Sequence, residues 1–312
     1  NKNKKSAFSL IEVAVVVLII SLVLAATLQA KSMIAKARLA KAIQLTKGSP
    51  LNNLSEVAFW FETSDPSSFK ESERENYLDL SAAEKAVGQG SITKWYGHNP
   101  HPDSRNDAKA SSISQAPKFY QKCTSNISCL RFDGSNNYLT IDNTNSETLN
   151  DYSIFIVEQR TSASGSDPII GSNSASSQDE SLEIGYLNAT TIYWGQGQSS
   201  EARRYTDSRL EDGKLSLHSF INASNKTGDT NALEYYLNSD LITASNPSKA
   251  VNFSTTVLGS SLEIGRSSPT HYEGDIGEII IIPYAVSRSE RIYIEKYLLA
   301  KWKISSDPTS PF

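Results

Sequence analysis

Cysteine is nearly missing from this 312-residue chain: Cys123 and Cys129, six positions apart, are the whole thiol inventory. With no second cysteine pair, and with His98 and His101 upstream in a Pro-containing stretch, the usual zinc-ligand spacings are excluded. Methionine is scarcer still. Met33 is the only one and is internal, so the true N-terminus is expected to lie upstream of Asn1. There is no Gly-rich phosphate loop, dinucleotide fingerprint or nucleophile elbow, which leaves nucleotide-dependent and serine-hydrolase chemistry without support. Long runs of one charge are also lacking, and the net charge of −4 does not indicate a nucleic-acid partner.

The charge is unevenly divided. Residues 1–47 hold eight Lys/Arg against the single acid Glu12, and the remainder carries −11. Phe8–Leu28 is the one long apolar run, 21 residues. As a helix it would measure roughly 31 Å at 1.5 Å per residue, which matches the hydrocarbon core of a bilayer. Helical spacing then continues through Ala30, Met33, Ile34, Ala37, Ala40 and Ile43, and Gly48-Ser49-Pro50 ends it. The spacing predicts one continuous helix of about forty residues, half in lipid and half outside. Within it Glu12 is anomalous, because a carboxylate in lipid is costly unless protonated or paired. A snorkelling residue at the interface is the plain alternative.

Lys4-Lys5-Ser6-Ala7-Phe8-Ser9-Leu10-Ile11-Glu12-Val13 resembles the prepilin processing motif of type IV pilins and pseudopilins. The resemblance implies cleavage between Ala7 and Phe8 by a prepilin peptidase, and N-methylation of the new Phe8 amine. It further implies that Glu12 faces the Phe8 amine of a neighbouring subunit during assembly, since two charges in an apolar core are tolerable only as a pair. One departure stands out: the leader of that family usually ends in Gly, not Ala7. The basic residues on the two sides of the span do not favour an N-terminus-in orientation; that orientation follows from the resemblance. In an exported protein Cys123 and Cys129 are expected to pair, two unrelated reduced thiols being the alternative.

From Val57 the periodicity changes. Short apolar or alternating runs recur between Ser/Asn/Gly/Asp turns at 57–62, 138–141, 153–158, 182–184, 191–194, 217–222, 233–237, 262–264 and 278–282. Such a pattern indicates a two-sheet sandwich. Thr161–Gln178 reads as a polar low-complexity loop broken by Ile169-Ile170. A last helix is signalled by Ser287 with Glu290 three residues on, followed by Ile294, Leu298 and Trp302 along one stripe. Arg131–Leu139, Tyr272–Ile279 and the ending Lys301-Trp302-Lys303-Ile304 resemble the strand and helix signatures of laminin-G-like, concanavalin-A-like jelly rolls, over about residues 56–304.

The expected fold is mainly β with one long N-terminal helix: a two-sheet jelly-roll sandwich with a C-terminal helix packed on it. The divisions are a leader at 1–7, a transmembrane and assembly helix at 8–47, a linker at 48–55, the sandwich at 56–304 and a tail at 305–312. Glu273, Asp275 and Glu278 look like the catalytic strand of some glucanases, but on a regular strand Glu278 faces away from the other two. Only a bulge would unite them. The histidines lack an acid–nucleophile pattern. No catalytic residue, metal ligand or cofactor is therefore expected; calcium, which some jelly-roll relatives bind, finds no loop of clustered carboxylates. The expected function is a filament subunit that displays its head for adhesion or interaction. Its expected partners are other subunits, the prepilin peptidase, the bacterial inner membrane before assembly, and a glycan or protein ligand of the head. The alternatives are a periplasmic pseudopilin of a secretion system and, from a different class, a membrane-tethered glycan-active enzyme.

Overall fold

The computed structural model describes residues 10–100, 106–142, 148–149, 151–162, 165–172, 182–196, 203–223, 233–245, 256–257 and 261–306. Helix α1 spans Leu10–Lys47, 38 residues without interruption, as the spacing predicts. It stops where Gly48 and Pro50 cannot prolong it: Gly48 N–H donates to the Gln44 carbonyl, and the Asn52 side chain donates to the Lys47 carbonyl. Pro50–Asn53 then forms a 3-10 turn that buries Leu51 beside the C-terminal helix.

The strands in chain order are β1 (Phe59–Glu62), β2 (Lys94–Trp95), β3 (Ala108–Lys109), β4 (Lys118–Tyr120), β5 (Cys129–Asp133), β6 (Leu139–Asp142) and β7 (Thr148–Leu149). They continue as β8 (Tyr152–Arg160), β9 (Asp167–Ser172), β10 (Leu182–Asn188), β11 (Thr191–Gln196), β12 (Arg203–Thr206) and β13 (Ser216–Asn222). The last group is β14 (Leu233–Leu237), β15 (Asp240–Ile242), β16 (Thr256–Val257), β17 (Ser261–Ile264), β18 (Arg266–Ser267), β19 (Thr270–His271) and β20 (Glu273–Ile282). A short helix α2 (Ala82–Ala86) precedes β2, and α3 (Arg288–Trp302) follows β20.

Two antiparallel eight-stranded sheets result. One runs β15-β14-β13-β8-β20-β5-β4, with β1 pairing the far end of β20; the other runs β12-β11-β10-β9-β17-β6-β3-β2. Single bridges, Ser91 to Lys118 and Tyr205 to Ala244, stitch the sheets together at both margins. That limits the open edges through which a sandwich could pair with foreign strands.

Between the sheets lies one apolar core, including Trp95, Phe132, Ile154, Ile156, Trp194, Phe220, Ile279 and Ile281. A second cluster covers the outer face of the first sheet, where Phe155, Val157, Ile280 and Ile282 meet Ile294, Leu298 and Trp302 of α3 and Ala42 of α1. Strands β8 and β20 are thus covered on both faces. This explains why their apolar residues run on without alternation.

The segment read as a polar loop at 161–178 contains β9. Ile169 and Ile170 are fully buried, and β9 pairs with both β10 and β17. Flanking serines masked a strand only six residues long. The C-terminal helix starts at Ser287 with both halves of the capping box made, as the Ser287/Glu290 spacing indicates.

Candidate functional site: the stem helix and the latch beneath the head

The first half of α1 is apolar on all sides. Val13, Val15, Val16, Leu18, Ile19, Leu22 and Leu24 are all about half exposed or more, and no part of the head covers them. Glu12 sits in the first turn of this stretch. Ala7 and Phe8 lie outside the described residues. The helix is long and apolar enough to cross a membrane.

The second half docks. Ala42 and Thr46 are buried, and Thr46 Oγ1 lies 3.4 Å from both Ser64 Oγ and Tyr297 OH. Beneath this contact is a fully buried ionic cluster. Lys301 Nζ of α3 stands 2.8 Å from Glu62 Oε2 of β1 and 2.8 Å from Glu278 Oε2 of β20. Glu62 and Glu278 are register partners on adjacent strands, so one cation bridges two neighbouring carboxylates. Every remaining lone pair is used. Trp60 Nε1, Tyr297 OH and Trp302 Nε1 donate to Glu278 at 2.8, 2.7 and 2.9 Å. The backbone N–H groups of Ser64 and Asp65 donate to Glu62 at 2.8 and 2.7 Å.

Burial would raise the Glu62 carboxyl, but the charge and hydrogen bond of Lys301, with that of Ser64, hold it at about 2. Burial likewise pushes Lys301 down, and Glu278 and Glu62 more than reverse this, keeping the ammonium charged well above its usual range. The cluster locks α3 to β1 and β20, and α1 rests on that lock.

The bulge that would unite the three acids of β20 is present. The β20–β8 register shifts between Ile276 and Glu278. A side chain at Gly277 would strike Trp302 Cη2 at 2.4 Å, so the bulge and the glycine together seat the indole. Glu278 is thereby turned to the same face as Asp275. Neither has a free carboxylate. Asp275 takes both bonds of the Arg131 guanidinium at 2.6 Å, and Glu278 belongs to the latch.

A second buried polar cluster lies between the sheets and was not read from the sequence. Glu158 Oε1 lies 2.8 Å from His218 Nε2 and accepts from Tyr186 OH at 2.7 Å. Tyr272 OH donates to Oε2, and Tyr235 OH is 2.9 Å from His218 Nδ1. Burial and the Glu158 charge push the Tyr186 and Tyr272 hydroxyls well above their ordinary range. The available signal was a Glu and a His at inward-facing positions of β8 and β13, on strands 60 residues apart in sequence.

Of the other histidines, His98 packs edge-on against Trp60 at 4.7 Å, and His271 lies beside Tyr138. His101 is outside the described residues. For a metal, Glu62, Asp65 and His98 bring ligand atoms within 4.8 Å of one another. Both Glu62 oxygens are already engaged, one of them by an ammonium group. Cys123, Cys129 and Asp275 also cluster, but the two thiols are joined in a disulfide with Cα atoms 5.9 Å apart, which removes them as ligands. Neither group fits an ion.

Residues 2–28 match the family described as the prokaryotic N-terminal methylation motif, the signature of type IV prepilins. The matched segment opens into the long apolar helix, and behind it stands a mainly β sandwich, an arrangement that supports a type IV pilin-like or pseudopilin-like subunit whose precursor is anchored in a membrane. No curated protein matches the chain. Among solved structures, it is similar to Trypanosoma rangeli sialidase at 12% identity and TM-score 0.49, over 84% of this chain but only 38% of the sialidase. Ruminococcus gnavus IT-sialidase CBM40 bound to alpha2,3 sialyllactose aligns at 12% identity and TM-score 0.41, over 54% of this chain and 95% of that one. The Botulinum neurotoxin serotype D binding domain aligns at 12% identity and TM-score 0.44, over 69% of this chain and 52% of that one. Likenesses at this level carry no argument about what this chain does.

Proposed function

We propose that this chain is a filament subunit: processed between Ala7 and Phe8, assembled through α1, and displaying its sandwich at the surface of an extracellular filament for adhesion or interaction. One observation carries this reading. A methylation motif at residues 2–28 opens into a single helix whose first half has no cover from the described head and whose last turns rest on the head through Ala42 and Thr46. Lipid covers the first half in the precursor, and the same half of neighbouring chains covers it in a polymer. A plain anchor needs neither Glu12 nor a helix that runs unbroken from the apolar half into contact with the head.

The head acts by binding rather than by hydrolysis in this reading. Asp275 and Glu278, two acids of the candidate catalytic strand, are consumed in structural ion pairs. The test is to isolate surface filaments from the native host, label them with antibody to the head, and determine the N-terminal mass of the subunit. Labelled filaments whose subunits begin at N-methylated Phe8 are expected. Chains that retain Lys4-Lys5-Ser6 and never leave the membrane would overturn the proposal.

A further inference from the structure

Two grooves flank α1 where it enters the head. The first, of about 450 Å³, is lined by Lys36, Arg74 and Lys122 around the apolar wall of Leu39, Phe69 and Phe119, with Asp65 its one acid. The second, of about 250 Å³ on another side of the helix, adds Arg38, Lys41 and Lys303 and contains no acid. Lys301 also borders it, but its ammonium is held by Glu62 and Glu278.

Among the described residues none of these six cations has a carboxylate partner, and the Nε of Arg74 has no hydrogen-bond acceptor. A groove lined by cations with a single acid among them is electrostatically matched to an anion.

The position along α1 says which anion. Leu28 ends the apolar run, so Lys36 follows it by eight residues, roughly 12 Å along the helix. The headgroup layer extends about 5–8 Å beyond the hydrocarbon, which a lysine side chain reaches. Basic residues are ordinarily sparse on the exported side of a span. Here they gather there, under a head that is acidic elsewhere.

We infer that the two grooves form a basic collar whose membrane-facing rim binds the anionic phospholipid headgroups of the leaflet from which the head emerges. The collar seats the precursor head on the membrane. This rests on membrane anchoring alone and not on filament assembly, so it can fail while the proposed function stands.

The test is hydrogen exchange on the full-length chain in nanodiscs of phosphatidylcholine, with or without phosphatidylglycerol. Amides of 63–74 and 119–128 are expected to exchange at least about tenfold more slowly in the anionic discs, with the difference screened by salt. The Lys36→Gln, Arg74→Gln, Lys122→Gln triple variant should lose the protection, and the charge-keeping Lys36→Arg, Arg74→Lys, Lys122→Arg variant should retain it. Inorganic phosphate added to phosphatidylcholine discs should not reproduce it. Equal exchange in both discs would overturn the inference. So would protection in phosphatidylcholine that grows with the number of chains per disc, which would assign the grooves to a neighbouring subunit.

Discussion

The two halves of α1 are chemically continuous as a helix and opposite as surfaces. Before Leu28 nothing in the head touches the helix and its side chains are apolar all round; after it, Ala42 and Thr46 are buried against Ser64 and Tyr297. A helix apolar on every face belongs to lipid or to other helices, whereas one with a single buried stripe belongs to its own domain. Of the two halves only the second can therefore stabilise the head, and in the proposed function the first carries assembly.

The largest effect on the docked side is expected at the latch. Lys301→Met leaves Glu62 and Glu278 facing each other without their cation and should destabilise the head by about 3–5 kcal/mol, read as a lowered urea midpoint. The same cluster sets an acid limit. The Glu62 pKa is depressed to about 2 from 4.5, so its contribution is complete above pH 4.5 and is lost as pH falls towards 2. A head equally stable at pH 5 and pH 2.5 would show that Glu62 is not held in this way.

Truncation separates the halves directly. Removing residues 1–29 should leave the melting temperature of the head unchanged. Removing 1–50 uncovers Tyr297, Leu298 and Ile127 and should cost about 3 kcal/mol by the apolar area exposed. Equal melting temperatures for the two truncations would break the distinction.

A smaller effect is expected at the disulfide near the stem contact. Replacing Cys123 and Cys129 by serine should cost about 2 kcal/mol, given so short a loop, and peptide mapping without reductant should recover the linked pair from wild type. The smallest change is a gain. Asp167 is nearly buried and its Oδ2 has no hydrogen-bond donor. Burial first, then Glu273, Asp212 and Glu158, against the opposing Arg160, raise it to about 6. A carboxyl raised in the folded state favours folding below pH 3.8, and that advantage disappears as pH rises through 6. Asp167→Asn should therefore stabilise the head by on the order of 1 kcal/mol at pH 7 and not at pH 3.5. No gain at pH 7 would mean the carboxylate is better solvated than its burial indicates.

How much of this was legible in the sequence follows from locality. The helix over Leu10–Lys47, its end at Gly48, and the capped helix after Ser287 are written in neighbouring residues, and so is the motif around Phe8 and Glu12. Most long strands were visible as apolar runs. β9 was not, because Ile169 and Ile170 are surrounded by serines and only the tertiary cover of β10 and β17 makes them a strand. The latch was invisible for a different reason. Glu62 lies more than 200 residues from both Glu278 and Lys301, and nothing local distinguishes a buried acid from a surface one. The face that Glu278 takes is set by the bulge at Gly277, which makes room for Trp302, and alternation along a regular strand puts it on the opposite one.

The central claim is that the exposed half of α1 is an assembly surface and not only an anchor, and Glu12 tests it most directly. Glu12→Gln and Glu12→Lys should be expressed in the native host, with precursor in the membrane and polymer at the surface quantified side by side. The account predicts membrane levels near wild type and filament yield sharply reduced, with Lys worse than Gln, because loss of a buried charge complement costs about 3–5 kcal/mol at each added subunit. Wild-type filament yield from both variants would contradict it and leave the sandwich as a tethered surface domain.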